Sequence, residues 1–161
     1  MIILINGAPG SGKTKTAEYL FLHTPQSAWI DGDTMLTINP QMRTDKELAL
    51  REKNIADMAK NYHEHGYNIV YISFVYMGPI FLAKQVELLN SVDTVMVISL
   101  VPDEKTLRAR HAGDDYKREE IESSIDINNK IKNLHADEVI DNSYMTVAEV
   151  GERIKKIAGL L

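Results

Sequence analysis

The chain has no cysteine. Neither a disulfide framework nor a thiolate metal site can be built from it. It has no apolar stretch approaching the ~20 residues needed to cross a bilayer. Its first apolar run stops at Ile5 and has no basic flank, so it does not read as a signal peptide. There is no excess of basic charge either. With 18 Lys and Arg against 23 Asp and Glu, the formal net charge is −5 and the pI is near 5.5. A nucleic-acid partner usually leaves a basic footprint, so this balance argues against one. No repeat, linker or low-complexity segment is visible. What is left is 161 residues, enough for one domain with its own core, expected in the cytoplasm and with no membrane partner.

What is present is concentrated near the start. Ile2-Ile3-Leu4-Ile5 is a short β-branched apolar run, followed by Gly7-Ala8-Pro9-Gly10-Ser11-Gly12-Lys13-Thr14 and then a helical pattern. Strand, glycine-rich turn and helix start together spell G-x-x-x-x-G-K-T, the phosphate-cradling loop of nucleoside triphosphate enzymes. Gly7, Gly10 and Gly12 allow positive φ and close backbone approach. The loop N–H groups and the helix N-terminus then aim at one anion. Lys13, read as solvent-facing, places a point charge on the β- and γ-phosphates, and Thr14 offers a hydroxyl to Mg²⁺. ATP and Mg²⁺ are the expected cofactors.

Strand and helix patterns alternate along the rest of the chain, which predicts an α/β fold with a doubly wound parallel sheet of about five strands. A first helix over residues 13–23 is stopped by Thr24-Pro25. Residues 28–30 form a second strand that ends at Asp31-Gly32-Asp33. Thr44 or Asp45 caps a long helix to about residue 65, with Leu48, Ile55, Met58, Ala59 and Tyr62 on one face and Gly66 closing it. Residues 67–74 form a third strand, and Gly78-Pro79 opens a helix to about residue 90. The nearly all-apolar run 94–100 predicts an interior fourth strand. A helix is expected from Pro102 to about residue 112, then a polar break at Gly113-Asp114-Asp115. A charged helix over 116–134 and a short fifth strand at 138–140 follow. Thr146-Val147-Ala148-Glu149 is a capping box opening a last helix with Val147, Val150, Ile154, Ile157 and Leu161 on one face.

The second strand alone ends in carboxylates. Ligands of an open parallel sheet sit beyond the carboxyl ends of its strands. If strand geometry persists, Asp31 and Asp33 share a face. One can hold a magnesium water and the other can accept a proton from an attacking hydroxyl. A solvated turn with a helix cap is the plainer alternative. Phosphoryl transfer also needs cations that arrive with closure. Arg108, Arg110, Lys117 and Arg118 flank Gly113-Asp114-Asp115, so residues 112–120 are a candidate lid. The alternative there is a solvated helix surface with Glu119, Glu120 and Glu122 as partners. His63-Glu64-His65 lacks the i, i+4 spacing of a helical metal pair. Asn128-Asn129-Lys130 lies in a helical pattern and does not read as a guanine-specificity loop. Trp29 and the tyrosines read as packing.

The loop, the Asp-x-Asp at the second strand, the arginine-bearing lid and the late Asp141-Asn142-Ser143 stretch resemble the small P-loop kinases, among them shikimate kinase, gluconate kinase and chloramphenicol phosphotransferase. The resemblance implies a sheet order of 2-3-1-4-5 and transfer of the ATP γ-phosphate to a small-molecule hydroxyl. It implies that Asp31 is the magnesium-side acid and Asp33 the substrate-side acid or base. It puts Arg110 beside the adenine, Lys117 or Arg118 in the lid as the phosphate clamp, and Asp141 and Asn142 over the other side of the base. Leu50-Arg51-Glu52 is similar to the substrate-binding helix of shikimate kinase. Where that enzyme has a glycine-rich turn after its third strand, this chain has Ser73-Phe74-Val75-Tyr76-Met77-Gly78.

The acceptor is therefore expected between Asp33, Arg51 and the third-strand end with Ser73 and Phe74. It would carry one acidic or polar group toward Arg51 and an apolar body toward Phe74–Met77. Arg43 and Arg51 are the arginines of that wall, too few for a phosphate track. Two rivals remain: a nucleotide or polynucleotide kinase on the same scaffold, and a non-catalytic ATP-binding module.

Overall fold

A computed structural model describes residues 1–40, 44–112 and 120–161. Five parallel strands, β1 (Ile2–Gly7), β2 (Ser27–Asp31), β3 (Ile69–Phe74), β4 (Val95–Leu100) and β5 (Glu138–Ile140), form one sheet in the order β2-β3-β1-β4-β5. Each strand returns to the sheet through a helical crossover, which is what parallel pairing requires. The helices are α1 (Lys13–Leu22), α2 (Asp45–Glu64), α3 (Pro79–Asn90), α4 (Glu104–Ala112), α5 (Ile121–Lys132) and α6 (Val147–Ile157). The expected fold class and strand order are those observed.

The two-residue period of a strand divides β1 between two cores. Ile2 and Leu4 join Ile30, Ile72, Phe74, Ile55 and Leu82 on the α2 and α3 side. Ile3 and Ile5 join Tyr71, Ile98, Leu100, Leu20, Val150 and Ile154 on the α1 and α6 side. Both β1 and β4 are flanked by strands on each side, which explains their uninterrupted apolar sequence. Two capping boxes start helices as their sequences dictate, Thr44 with Glu47 for α2 and Thr146 with Glu149 for α6. Each satisfies N–H groups that the first turn leaves without helical partners.

Some boundaries differ from expectation. Helix α4 starts at Glu104 rather than Pro102, because the Asp103 carboxylate accepts the Thr106 N–H at 2.7 Å and caps the helix there. Strand β3 starts at Ile69, two residues late. Leu161 lies beyond α6 and is 75% exposed, so it does not join Val150 and Ile154 in the core. The charged helix expected from residue 116 is described from Ile121 onward. The polar break 113–115, Lys117 and Arg118 of the candidate lid, and Arg43 lie outside the described residues. No described helix is long and apolar enough to cross a membrane.

Candidate active site

Strand β1 delivers the glycine-rich loop at its carboxyl end, between β3 and β4. Gly10 has φ +79° and Gly12, the residue before α1, has φ +96°. Both values lie in the left-handed region, where a Cβ is strained. Gly7 serves differently. Its φ is not positive, but an added Cβ would come within 2.3 Å of the Ser11 hydroxyl oxygen. No side chain caps the start of α1 and no acidic residue occupies its first turn. The positive end of the helix is thus left to an anion.

The loop is held from behind by side chains far along the chain. The Arg110 Nη1 donates to the Ser11 carbonyl at 2.9 Å and its Nη2 to the Asn142 carbonyl at 3.0 Å. The Asn142 Nδ2 donates to the same Ser11 carbonyl at 2.8 Å. Burial pulls the Arg110 guanidinium below its ordinary pKa, opposed by the nearby Asp103 carboxylate. His111, fully buried, sets its Nε2 3.2 Å from the Pro9 carbonyl oxygen. A Cβ on Gly10 would meet that ring nitrogen at 2.7 Å.

Asn6 ties the loop strand to β3. Its Nδ2 donates to the Tyr76 carbonyl at 3.0 Å and its Oδ1 accepts the Tyr76 N–H at 2.8 Å. Sequence reasoning missed both Asn6 and His111. For Asn6 a signal existed: an amide inside an otherwise apolar strand must find buried partners.

A cavity of about 1690 Å³ opens at the carboxyl ends of the strands. A single ligand site typically occupies roughly 300–1,000 Å³, so this one has room for a nucleotide and an acceptor together. Pro9, Gly10, Gly12, Lys13, Thr14, Arg110 and Asn142 line one half. Asp33, Arg51 and Phe74 line the other, with the Arg51 guanidinium 4.1 Å from the centroid of the Phe74 ring.

The sequence-predicted residues separate here. Lys13 is 8% exposed and does not stand free in solvent. It is the first residue of α1. Asp31 stays out of the cavity lining. The chain leaves strand geometry at Asp31 and enters a short 3-10 turn over Gly32–Thr34, where the Asp31 Oδ1 accepts the Asp33 N–H at 3.1 Å. The two carboxylates therefore do not share a face. Ser73 is also absent from the lining. It is 1% exposed, and its hydroxyl accepts the Trp29 Nε1–H at 3.1 Å on the α1 side of the sheet. Its neighbour Phe74 points the other way, as strand alternation demands. Asp141 turns to the N–H and hydroxyl of Ser143, outside the cavity. Arg108 bridges Glu104 at 2.7 Å and Glu122 at 2.6 Å on the surface, and both carboxylates raise its pKa.

Behind the acceptor half lies a buried polar group. The Tyr76 hydroxyl donates to Gln85 Oε1 at 2.9 Å, and Gln85 Nε2 donates to the Glu52 carbonyl at 3.3 Å. The Glu52 carboxylate is 1% exposed and pairs with Lys84 at 3.2 Å. Burial pushes the Tyr76 phenol well above its usual pKa, so it stays protonated and is a donor. Among the described residues, no group of three or more His, Asp or Glu side chains could hold a metal. The His65 Nδ1 lies 2.7 Å from the Asn61 carbonyl oxygen, and the His63 Nδ1 lies 3.6 Å from Asp93.

No protein-family model matches the chain, and no curated protein matches its sequence. Solved structures do match. The tunicamycin resistance protein of Deinococcus radiodurans superposes with a TM-score of 0.81 at 20% identity, over 99% of this chain and 96% of that one. A sugar kinase from Janibacter sp. HTCC2649 gives 0.76 at 15% identity, over 99% and 94%. A gluconokinase from Sinorhizobium meliloti 1021 gives 0.70 at 16% identity, over 98% and 90%. With the strand order and the loop at the end of β1, these superpositions show that the chain has the same five-stranded P-loop α/β fold as these structures.

Proposed function

We propose that the chain is a phosphotransferase that moves the γ-phosphate of Mg-ATP to a hydroxyl of a small molecule. One observation carries the reading: a single cavity joins the glycine loop and Lys13 to Asp33 and Arg51. The names of the superposed sugar kinase and gluconokinase agree with it.

The residues present fit the nucleotide. Gly10 and Gly12 have backbone angles that form an anion nest, and the buried Asn142 Oδ1 has no hydrogen-bond partner among the described residues. Thr14 would hold Mg²⁺ through its hydroxyl, an oxygen donor of the type that ion takes, and the ion would supply charge neutralisation for the phosphates. In the transfer, Asp33 accepts the proton of the acceptor hydroxyl as that oxygen bonds to the γ-phosphorus. The bond from the γ-phosphorus to the bridging oxygen breaks and ADP departs. Lys13 and the loop N–H groups stabilise the charge on the transferring oxygens. Arg110 holds the loop and borders the nucleotide half. Arg118 is proposed to clamp the phosphates from the lid. Asp31 orients Asp33 through its N–H. We take the cytoplasm as the setting, with neither a nucleic-acid nor a membrane partner.

The test is ADP release with a panel of hydroxyl compounds, comparing wild type with Lys13→Met, which keeps the buried stem and removes the charge. Turnover should fall by roughly 10²–10³, the usual loss for one oxyanion-stabilising group, with Tm nearly unchanged. Turnover within tenfold of wild type would end the assignment. Tight ATP binding with no turnover on any acceptor would favour the regulatory module. Efficient 5′-phosphorylation of DNA or RNA at moderate salt would favour the polynucleotide kinase.

A further inference from the structure

We infer that the acceptor is an apolar alcohol, with its hydroxyl on an aryl-alkyl body, and not a polyol or a sugar acid. The inference rests on the phosphotransferase reading and concerns the acceptor half of the same cavity. That half is lined by Leu36, Ile38, Leu48, Phe74, Met77 and Phe81. Between residues 33 and 81, the charged side chains facing the cavity among the described residues are Asp33 and Arg51. Tyr76 also borders it, but its hydroxyl is engaged by Gln85.

A polyol brings a hydroxyl on nearly every carbon. Each loses its water on entry and must find a new partner, and an unpaired buried hydroxyl weakens binding. Among the described residues of this half, two charged side chains face those five or six hydroxyls. Asp33 is already assigned to the reacting one. The Arg51 guanidinium carbon lies 4.1 Å from the centroid of the Phe74 ring, so cation and ring belong to one wall. An aromatic or branched aliphatic body fits such a wall, with its hydroxyl directed to Asp33.

The rim supports the same choice. Met77 is 52% exposed and Phe81 42% exposed. Both line the cavity, and both would leave water when an apolar body enters. The chemistry is otherwise as above: the alcohol proton passes to Asp33, the oxygen–phosphorus bond forms and ADP leaves.

The probe is 3-phenylpropan-1-ol, set against gluconate, glucose and shikimate, with product followed by phosphorus NMR and binding by calorimetry. The expected kcat/KM is at least a hundredfold higher for the phenylpropanol. Phe81→Asp and Met77→Asp, both at partly exposed positions, should raise its KM tenfold or more and change the KM for ATP less than twofold. Transfer to gluconate or glucose with none to the phenylpropanol would overturn the inference and leave the phosphotransferase reading intact. Transfer to no alcohol at all, with the phenylpropanol still bound, would overturn that reading and the inference with it.

Discussion

Arg110 Nη1 donates to the carbonyl of Ser11 across 99 positions of sequence, at 2.9 Å. The guanidinium spans from Ser11 to Asn142, so it fixes the shape of the glycine loop before any nucleotide arrives. Hydrogen bonds from a charged donor contribute about 1.5–3 kcal/mol each. Arg110→Ala should therefore raise the Kd for ATP by roughly 10–100-fold, measured calorimetrically. Arg110→Lys should recover little, because an ammonium cannot span both carbonyls. Unchanged affinity in the alanine variant would remove this clamp from the account.

Asp33 and Asp31 should respond differently to the same substitutions. Asp33→Asn removes the proposed proton acceptor and should lower kcat by about 10²–10⁴, with ATP binding retained. Asp31→Asn keeps a side-chain oxygen that can accept the Asp33 N–H and should cost less than tenfold. Asp31→Ala loses that cap and should cost more. Steady-state kinetics decide the matter: if Asp31→Asn is as damaging as Asp33→Asn, Asp31 acts on magnesium and not on the turn.

Gly32→Ala should disturb the acceptor half alone. Its Cβ would lie 2.6 Å from Phe74 Cδ2 and 2.8 Å from Phe74 Cβ. Phe74 is 6% exposed and has little room to retreat. Overpacking of this kind costs about 1–3 kcal/mol, a fall in Tm of several degrees for a chain this long. The acceptor KM should rise while that of ATP holds. A melting curve superimposable on wild type would contradict the packing argument.

Asp103 gives the fold an acid-sensitive helix start. The N–H and hydroxyl of Thr106 hold its carboxylate below the usual pKa, with Tyr144 adding to the effect. A depressed folded pKa means the stabilisation is present above the unfolded value, near 3.9, and is lost as pH falls through the lower folded one. The Tm difference between wild type and Asp103→Ala should therefore be largest at neutral pH and shrink steadily as the pH falls below about 4. A difference that persists to pH 2 would show that packing, not ionisation, sets it.

The sequence made the glycine loop, both capping boxes and the Gly78-Pro79 helix start legible, because each is a local arrangement of backbone and neighbouring side chains. It was less informative where distant segments meet. Nothing near Lys13 signals that it is buried. Nothing near His111 signals that it packs behind Pro9. Ser73 and Phe74 are neighbours in sequence, yet strand alternation sends them to opposite faces of β3. Asp31 and Asp33 would share a face only if the strand continued, and it ends at Asp31, where the 3-10 turn begins. Where a strand ends depends on its partner strand as well as on the local residues.

The two halves of the cavity draw on separate stretches of chain. Among the described residues, the cavity residues proposed for the nucleotide fall within 9–16 and 110–150, whereas those proposed for the acceptor fall in one block, 33–81. Strand β3 is the one strand inside that block among the described residues. A recombination event that replaced this block from a relative of the same fold would exchange one acceptor for another in a single step. The nucleotide grip would remain as it was. Specificity in such a scaffold can therefore be inherited as a cassette, and its spread need not track the descent of the loop that binds the phosphate.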